Sequence, residues 1–352
     1  MDIRDIARLA KVSTATVSRT LNHVPTVDPK LAKRVWEVAG ELGYTPNTHA
    51  RSLVSGRSRT FGLVVSEFTN PFFPEIVQTF EALAVENGYE ILLTSTGHDP
   101  KRMEVAVRRM TERRVDGVAI LTFGMEESLL ADLRHRKVPL VFVDVGPDIP
   151  GVANIRIDYR HGIRQAVQHL AALRHTRIAF VTGPLQLPSA VARKRAFEAS
   201  MEEIGLGIHA ELVVEGDHSV EGGSLAAKRL LELPERPTAV MCSNDMTAIG
   251  VMRQAFESEV RVPDELSIIG FDDIRLAQYM IPPLTTVQMS QAELARLAFK
   301  ALLEEQEQEP QQHGSQYDLT TNLILRKSTA MAAGMEKLPK HPPDLRSRTR
   351  RP

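Results

Sequence analysis

FGLVVS (61–66), EILLTST (90–96), DGVAIL (116–121) and LVFVDV (140–145) are four short apolar runs, each separated from the next by an amphipathic stretch. Apolar residues on successive positions suit strands buried on both faces, and strands alternating with helices predict a parallel α/β sheet. A second series repeats the pattern in RIAFVTG (177–183), AELVVEGD (210–217), AVMCSND (239–245) and LSIIGFDD (266–273). Two similar lobes follow, each an open sheet. Ligands bind such sheets in the crevice outside the carboxyl ends of the strands. Several runs end there in small or polar residues: Ser66, Asp144, Asn244, Asp245, Asp272 and Asp273.

Upstream of the first strand the pattern changes to helices. Ile3, Ile6, Ala7 and Ala10 recur at helical spacing, with Arg4 and Arg8 on the outer side. Ser13 reads as an N-cap, and Val12 with Val17 fits a hydrophobic staple that fixes the entry angle of a second helix. In that helix Val17 and Leu21 face inward, leaving Thr14, Ala15, Ser18, Arg19 and Asn22 outward. Small hydrogen-bonding side chains on the exposed face suit a helix that enters the DNA major groove. Asp28 as cap and Pro29 at the first position open a third helix, whose stripe is Leu31, Val35, Val38 and Leu42 up to Gly43.

The strings Ile3–Ala10 (IRDIARLA), Val12–Arg19 (VSTATVSR) and Leu42–Asn47 (LGYTPN) resemble the headpiece of the LacI/GalR family of bacterial transcription regulators. The resemblance continues in Asn70-Pro71-Phe72-Phe73, Ser243-Asn244-Asp245, Ile269–Asp273 (IGFDD) and Pro282–Val287 (PPLTTV), and so covers nearly the whole chain. It implies an N-terminal three-helix helix-turn-helix headpiece at 1–45 and a hinge helix and linker at 46–60. A two-lobed, periplasmic-binding-protein-like domain with parallel sheets, for effector binding and dimerisation, is expected at 61–330. A disordered basic tail is expected at 331–352.

By the same resemblance Thr14, Ala15, Thr16, Ser18, Arg19 and Asn22 occupy the DNA-contact region of the recognition helix. Asn47 and Ala50 belong to the hinge, where Leu53 is the apolar wedge for the minor groove. The effector set is Phe73, stacking on the ligand, Arg193 as a forked donor, and Asp144, Asn244 and Asp272 bonding hydroxyls or ring nitrogens. His218 stands where relatives often carry an aromatic, which extends the expected ligand from a sugar to a sugar acid. Each has a structural alternative: Asp272, Asp273 or Asn244 as helix caps, Phe72 or Phe73 as core, and His218 as a loop residue. Arg174 before His175, and Ala196 three after Arg193, depart from family glycines and read as local backbone adaptations.

The implied function is a sequence-specific regulator, a repressor of carbohydrate-use genes. Its partners are a near-palindromic double-stranded DNA operator, a small effector (a sugar or sugar acid), and a second copy in a homodimer. A protein co-regulator reporting carbon status is the alternative to a small ligand.

Composition agrees with this. Of 352 residues, the first sixty carry ten Lys or Arg against five Asp or Glu, although the whole chain has a formal net charge of −1. A local basic excess suits a polyanion. One cysteine, Cys242, leaves no intramolecular disulfide. With no export signal and no membrane-length apolar run, the expectation is a cytoplasmic protein, which argues against an exported solute-binding protein. The sequence has no GxxxxGK, HExxH, CxxC or GxSxG motif, so no enzyme, cofactor or metal site is expected.

Overall fold

The computed structural model describes residues 2–21, 26–44, 57–97, 99–122, 127–136, 138–144, 151–307 and 315–332. Asn22, the hinge residues Asn47, Ala50 and Leu53, and most of the basic tail lie outside the described residues.

Three helices form the N-terminal unit: α1 (Ile3–Leu9), α2 (Thr14–Leu21) and α3 (Pro29–Glu41). A capping box opens α1, with Asp2 accepting from the Asp5 amide and Asp5 from the Asp2 amide. Ser13 Oγ accepts from the Thr16 amide at 3.0 Å ahead of α2, and Asp28 caps α3 with Pro29 in its first turn. Ile6, Ala10, Val17 and Val35 are fully buried between them. A core this small relies on its caps, each contributing about 1 kcal/mol.

The first lobe holds a six-stranded, all-parallel sheet. Its strands are β1 (Thr60–Val65), β2 (Glu90–Ser95), β3 (Gly117–Leu121), β4 (Leu140–Val143), β5 (Val152–Asp158) and β11 (Gln316–Thr320), in the order β11-β5-β4-β3-β1-β2. The connecting helices are α4 (Phe72–Glu86), α5 (Pro100–Glu112) and α6 (Glu127–His135). Asp116 anchors the entry to this lobe, accepting from the amides of Ser58 and Arg59.

The second lobe uses β6 (Ile178–Thr182), β7 (Val213–Glu215), β8 (Ala239–Cys242), β9 (Ser267–Asp272), β10 (Thr285–Gln288) and β12 (Asn322–Ile324), in the order β12-β10-β9-β8-β6-β7. Here β12 runs antiparallel to β10, so this sheet is parallel except at one edge. Its helices are α7 (Tyr159–Ala172), α8 (Pro188–Glu203), α9 (Val220–Leu231) and α10 (Asp245–Glu257). Helix α11 (Gln291–Glu307) follows β10 in sequence yet packs against α4 and the first sheet.

The chain therefore passes between lobes three times: after β5, after β10, and between β11 and β12. Thr321 ties two of these passages together. Its hydroxyl donates to the Asp158 carbonyl at 2.6 Å and accepts from the Gly162 amide at 3.1 Å. A β-carbon at Gly162 would stand 2.4 Å from Val287 Cγ1 and 2.7 Å from Thr321 Oγ1, so only glycine permits this approach.

Arg174, read from sequence as standing in a glycine position, has φ +68°, and its amide donates to the Ala171 carbonyl after α7. The left-handed backbone that favours glycine is thus kept, with an exposed arginine carrying it.

Candidate functional site

Between the lobes lies a cleft of about 530 Å³. Phe73, Asp144, Arg193, His218, Asn244 and Asp272 all line it, so the fold brings together six residues spread over two hundred positions of sequence. Phe73 comes from the first turn of α4 and Asp144 from the end of β4. Arg193 projects from α8, His218 from the loop before α9, Asn244 from the cap of α10 and Asp272 from the end of β9.

Arg193 is the organising group. It is buried, its Nη1 donates to the Ser243 carbonyl at 2.6 Å, and its Nη2 lies 3.6 Å from Asp272 Oδ1. Its guanidinium carbon stands 4.2 Å from the Phe271 ring centre and 5.1 Å from that of Tyr159. These aromatic faces attract the cation. Two complementary atoms remain without a hydrogen-bond partner, Arg193 Nε and Asp272 Oδ1. Burial raises the Asp272 carboxyl to about 7, and Arg193 opposes that rise.

Asp144 is likewise raised, chiefly by burial, while the Tyr159 hydroxyl that donates to it and the charge of Arg193 pull the other way. Tyr159 was not foreseen from sequence, because β5, the strand that delivers it, was not read as one. Asp217, also missed, faces the cleft beside His218 and accepts from both the amide and hydroxyl of Ser219. Burial raises the Asp217 carboxyl, but those two bonds together with its own amide and the charge of His218 outweigh it and the net shift is downward.

The helix-cap alternative for Asn244 holds together with its place in the cleft. Its Oδ1 accepts from the Thr247 amide at 2.8 Å, and its Nδ2 donates to the His218 carbonyl at 3.1 Å. His218 is more than a loop residue: Nε2 lies 3.0 Å from Ser243 Oγ, and the ring packs where a Gly183 β-carbon would fall, 1.9 Å away. Asp144, His218 and Asp272 all have positive φ, at 73°, 67° and 106°. Such conformations cost about 1–3 kcal/mol each in non-glycine residues and concentrate at binding sites.

Asp273 does not join this set. It accepts from Arg326 at 2.6 Å and from Gln288 at 2.9 Å, lining a second cavity of about 680 Å³ whose charged pair is already satisfied.

On the headpiece, Thr14, Ala15 and Arg19 are exposed and Ser18 is half-buried on the outer face of α2. Thr16 differs from them: it is half-buried, and its hydroxyl lies 2.9 Å from Ser13 Oγ within the cap.

Comparison with known proteins adds three findings. Residues 2–47 match the family model described as "Bacterial regulatory proteins, lacI family", and residues 167–329 match "Periplasmic binding protein-like domain". The chain is 35% identical over 303 residues to the HTH-type transcriptional repressor PurR of Aliivibrio salmonicida (strain LFI1238), covering 86% of this chain and 91% of that protein. Among solved structures, the Lac repressor dimer bound to operator and the anti-inducer ONPF aligns with TM-score 0.82 and 29% identity, covering 94% of this chain and 99% of that one. The transcriptional regulator CelR in complex with cellobiose aligns with TM-score 0.69 and 28% identity, covering 93% and 99%.

Proposed function

Because the chain belongs to the LacI/GalR family and is a DNA-binding transcriptional repressor of that family, we propose that a small, hydroxyl-rich effector bound in the inter-lobe cleft controls its hold on DNA. The observation that carries this reading is the pair of unsatisfied buried atoms, Arg193 Nε and Asp272 Oδ1. Asp272 Oδ1 has the Arg193 charge nearby at 3.6 Å but no hydrogen bond, and a buried donor and acceptor without hydrogen bonds are costly, so a ligand that supplies them recovers that loss. Phe73 offers an apolar face for a ring, while Asp144, His218 and Asn244 add hydrogen-bonding edges from both lobes. A sugar suits such a set, which the cellobiose complex of a similar regulator supports, and the regulated genes are then those of carbohydrate use.

The proposed DNA surface is Thr14, Ala15, Ser18, Arg19 and Asn22 in the major groove, with Thr16 fixing the helix start. The hinge residues Asn47, Ala50 and Leu53 complete it in the minor groove. A homodimer on a near-palindromic operator is the proposed assembly, supported by the operator-bound dimer of the similar Lac repressor. The units are 1–45 for the headpiece, 46–60 for the hinge and 61–330 for the effector domain.

Coupling follows from the three inter-lobe passages. Closing the cleft rotates one lobe against the other about residues near Asp158, Met289 and Thr321, which changes the spacing of the first lobes in a dimer and hence of the hinges. The ligand shifts the equilibrium only by its differential affinity for the closed and open states.

The test is thermal unfolding of the full chain across a panel of sugars, amino sugars, sugar acids, sugar phosphates and purine bases, followed by operator titration with each hit. Expected is a selective rise in melting temperature that Arg193→Ala abolishes, together with a change in operator affinity. A hit that binds equally well to Arg193→Ala would remove the cleft from the reading.

A further inference from the structure

Resting on the cleft as the effector site, the charges that face it narrow the ligand further. Four carboxylates line the cleft: Glu67 after β1, Asp144 after β4, Asp217 before α9 and Asp272 at the end of β9. Among the described residues, the only Lys or Arg lining it is Arg193. That cation is committed within the protein, at 3.6 Å from Asp272, on the Ser243 carbonyl and against the Phe271 and Tyr159 rings. The His218 ring lies 3.0 Å from the Ser243 hydroxyl.

The carboxylates differ in how far their own surroundings satisfy them. Asp217 takes two bonds from Ser219, and Glu67 accepts from Thr69 at 2.8 Å. Asp272 has one oxygen with no hydrogen bond although it is only 4% exposed. A buried, under-satisfied carboxyl among three others is stabilised by a donor that also carries positive charge. An added anion meets the opposite condition, since like charges in a shared site disfavour ionisation.

We propose that the cleft selects its effector by charge and takes an aminated polyol, of which an amino sugar is the simplest form, in preference to the neutral parent and to the exclusion of the corresponding acid. The hydroxyls meet Arg193 Nε and Asn244, and the ammonium faces the carboxylates. This replaces the sugar acid that His218 suggested from sequence alone, because the imidazole is one group against four carboxylates. Burial, which raises both Asp144 and Asp272, points the same way: such carboxyls gain most when a cation arrives.

The magnitude follows from the general effect of an opposite charge on a carboxylate, one to three pKa units, or about ten- to thousandfold in binding. The experiment uses the full chain with matched sets: glucose, glucosamine and glucuronate, and the same three forms of galactose and mannose, by titration calorimetry. Expected in at least one set is an amine that binds about tenfold or more tightly than the neutral sugar, with no saturable binding of the acid. The paired variant Glu67→Gln, Asp217→Asn should cut the amine's advantage over the neutral sugar by about threefold or more without abolishing it, since Asp144 and Asp272 remain, and should retain binding of the neutral sugar. An acid that binds as tightly as its neutral partner, or an amine that gains nothing over it, overturns charge selection while leaving the cleft as the effector site. If no member of any set binds, the aminated polyol is refuted, and the cleft itself is then decided by the wider panel and Arg193→Ala.

Discussion

Replacing Arg193 with alanine tests what sets the charge state of Asp272, the group on which the cleft's chemistry turns. An aspartate in an unfolded chain titrates near 3.9. In the fold Asp272 titrates at about 7, with burial the larger cause and Arg193 the opposing one. Between those two values the folded protein holds the extra proton, so stability from this group is greatest at low pH and falls as pH rises toward 7. The slope is about 1.4 kcal/mol per pH unit, and it vanishes once both states are ionised. Over the whole window this one group removes about 4 kcal/mol.

Without Arg193 the carboxyl loses the charge that lowers it, and its titration moves above 7. The variant should therefore keep losing stability above neutral pH, where the parent has levelled off, and the gap between them should widen by about 1.4 kcal/mol per pH unit. A pH-independent loss of about 2–4 kcal/mol comes in addition, from the orphaned Ser243 carbonyl and the lost contact with Phe271 and Tyr159. Urea unfolding of both proteins from about pH 5 to about pH 9 reads the gap directly. Asp245, on which Arg193 does not act, largely cancels in the difference, whereas Asp144 also loses the lowering charge of Arg193 and moves in the same direction as Asp272. A gap that stays constant across that range, or an Asp272→Asn variant with the parent's pH dependence, would refute the reasoning.

Gly183→Ala places a methyl group 1.9 Å from His218 Nε2, so the ring must leave Ser243. Effector affinity should drop by about tenfold while operator affinity without effector stays within about twofold, since no headpiece residue lines the cleft among the described residues. Gly162→Ala drives a β-carbon into Val287 and Thr321 at the inter-lobe passages and should destabilise the large domain by about 1–3 kcal/mol, read as a lower urea midpoint; an unchanged midpoint contradicts the close packing there. Ser13→Ala removes the cap of α2 and should cost the headpiece about 1 kcal/mol, seen as weaker operator binding with an unaltered melting temperature of the large domain.

Much of this protein was legible in its sequence because the relevant signals are local. Apolar runs mark β1 to β4 and β6 to β9, and the Ser13 and Asp28 caps mark α2 and α3, each by residues within a few positions of one another. The strands that sequence reading missed, β5, β10, β11 and β12, include short segments with mixed exposure, whose pairing is fixed by partners far away in the chain. Missing them concealed the three passages between lobes, and with β5 went Tyr159.

The candidate effector residues were named from sequence by resemblance, and their types and positions did not depend on the fold being known. What those residues do to one another was settled only in three dimensions. Burial and distance are properties of packing, so the near-neutral titration of Asp272, the committed charge of Arg193 and the seat of His218 against Gly183 could not be read from neighbours along the chain. Asp272 and Asp273 show the division most plainly: adjacent in sequence and identical in chemistry, they are turned by the backbone at the end of β9 into two different cavities, one carboxyl under-satisfied and the other already paired with Arg326.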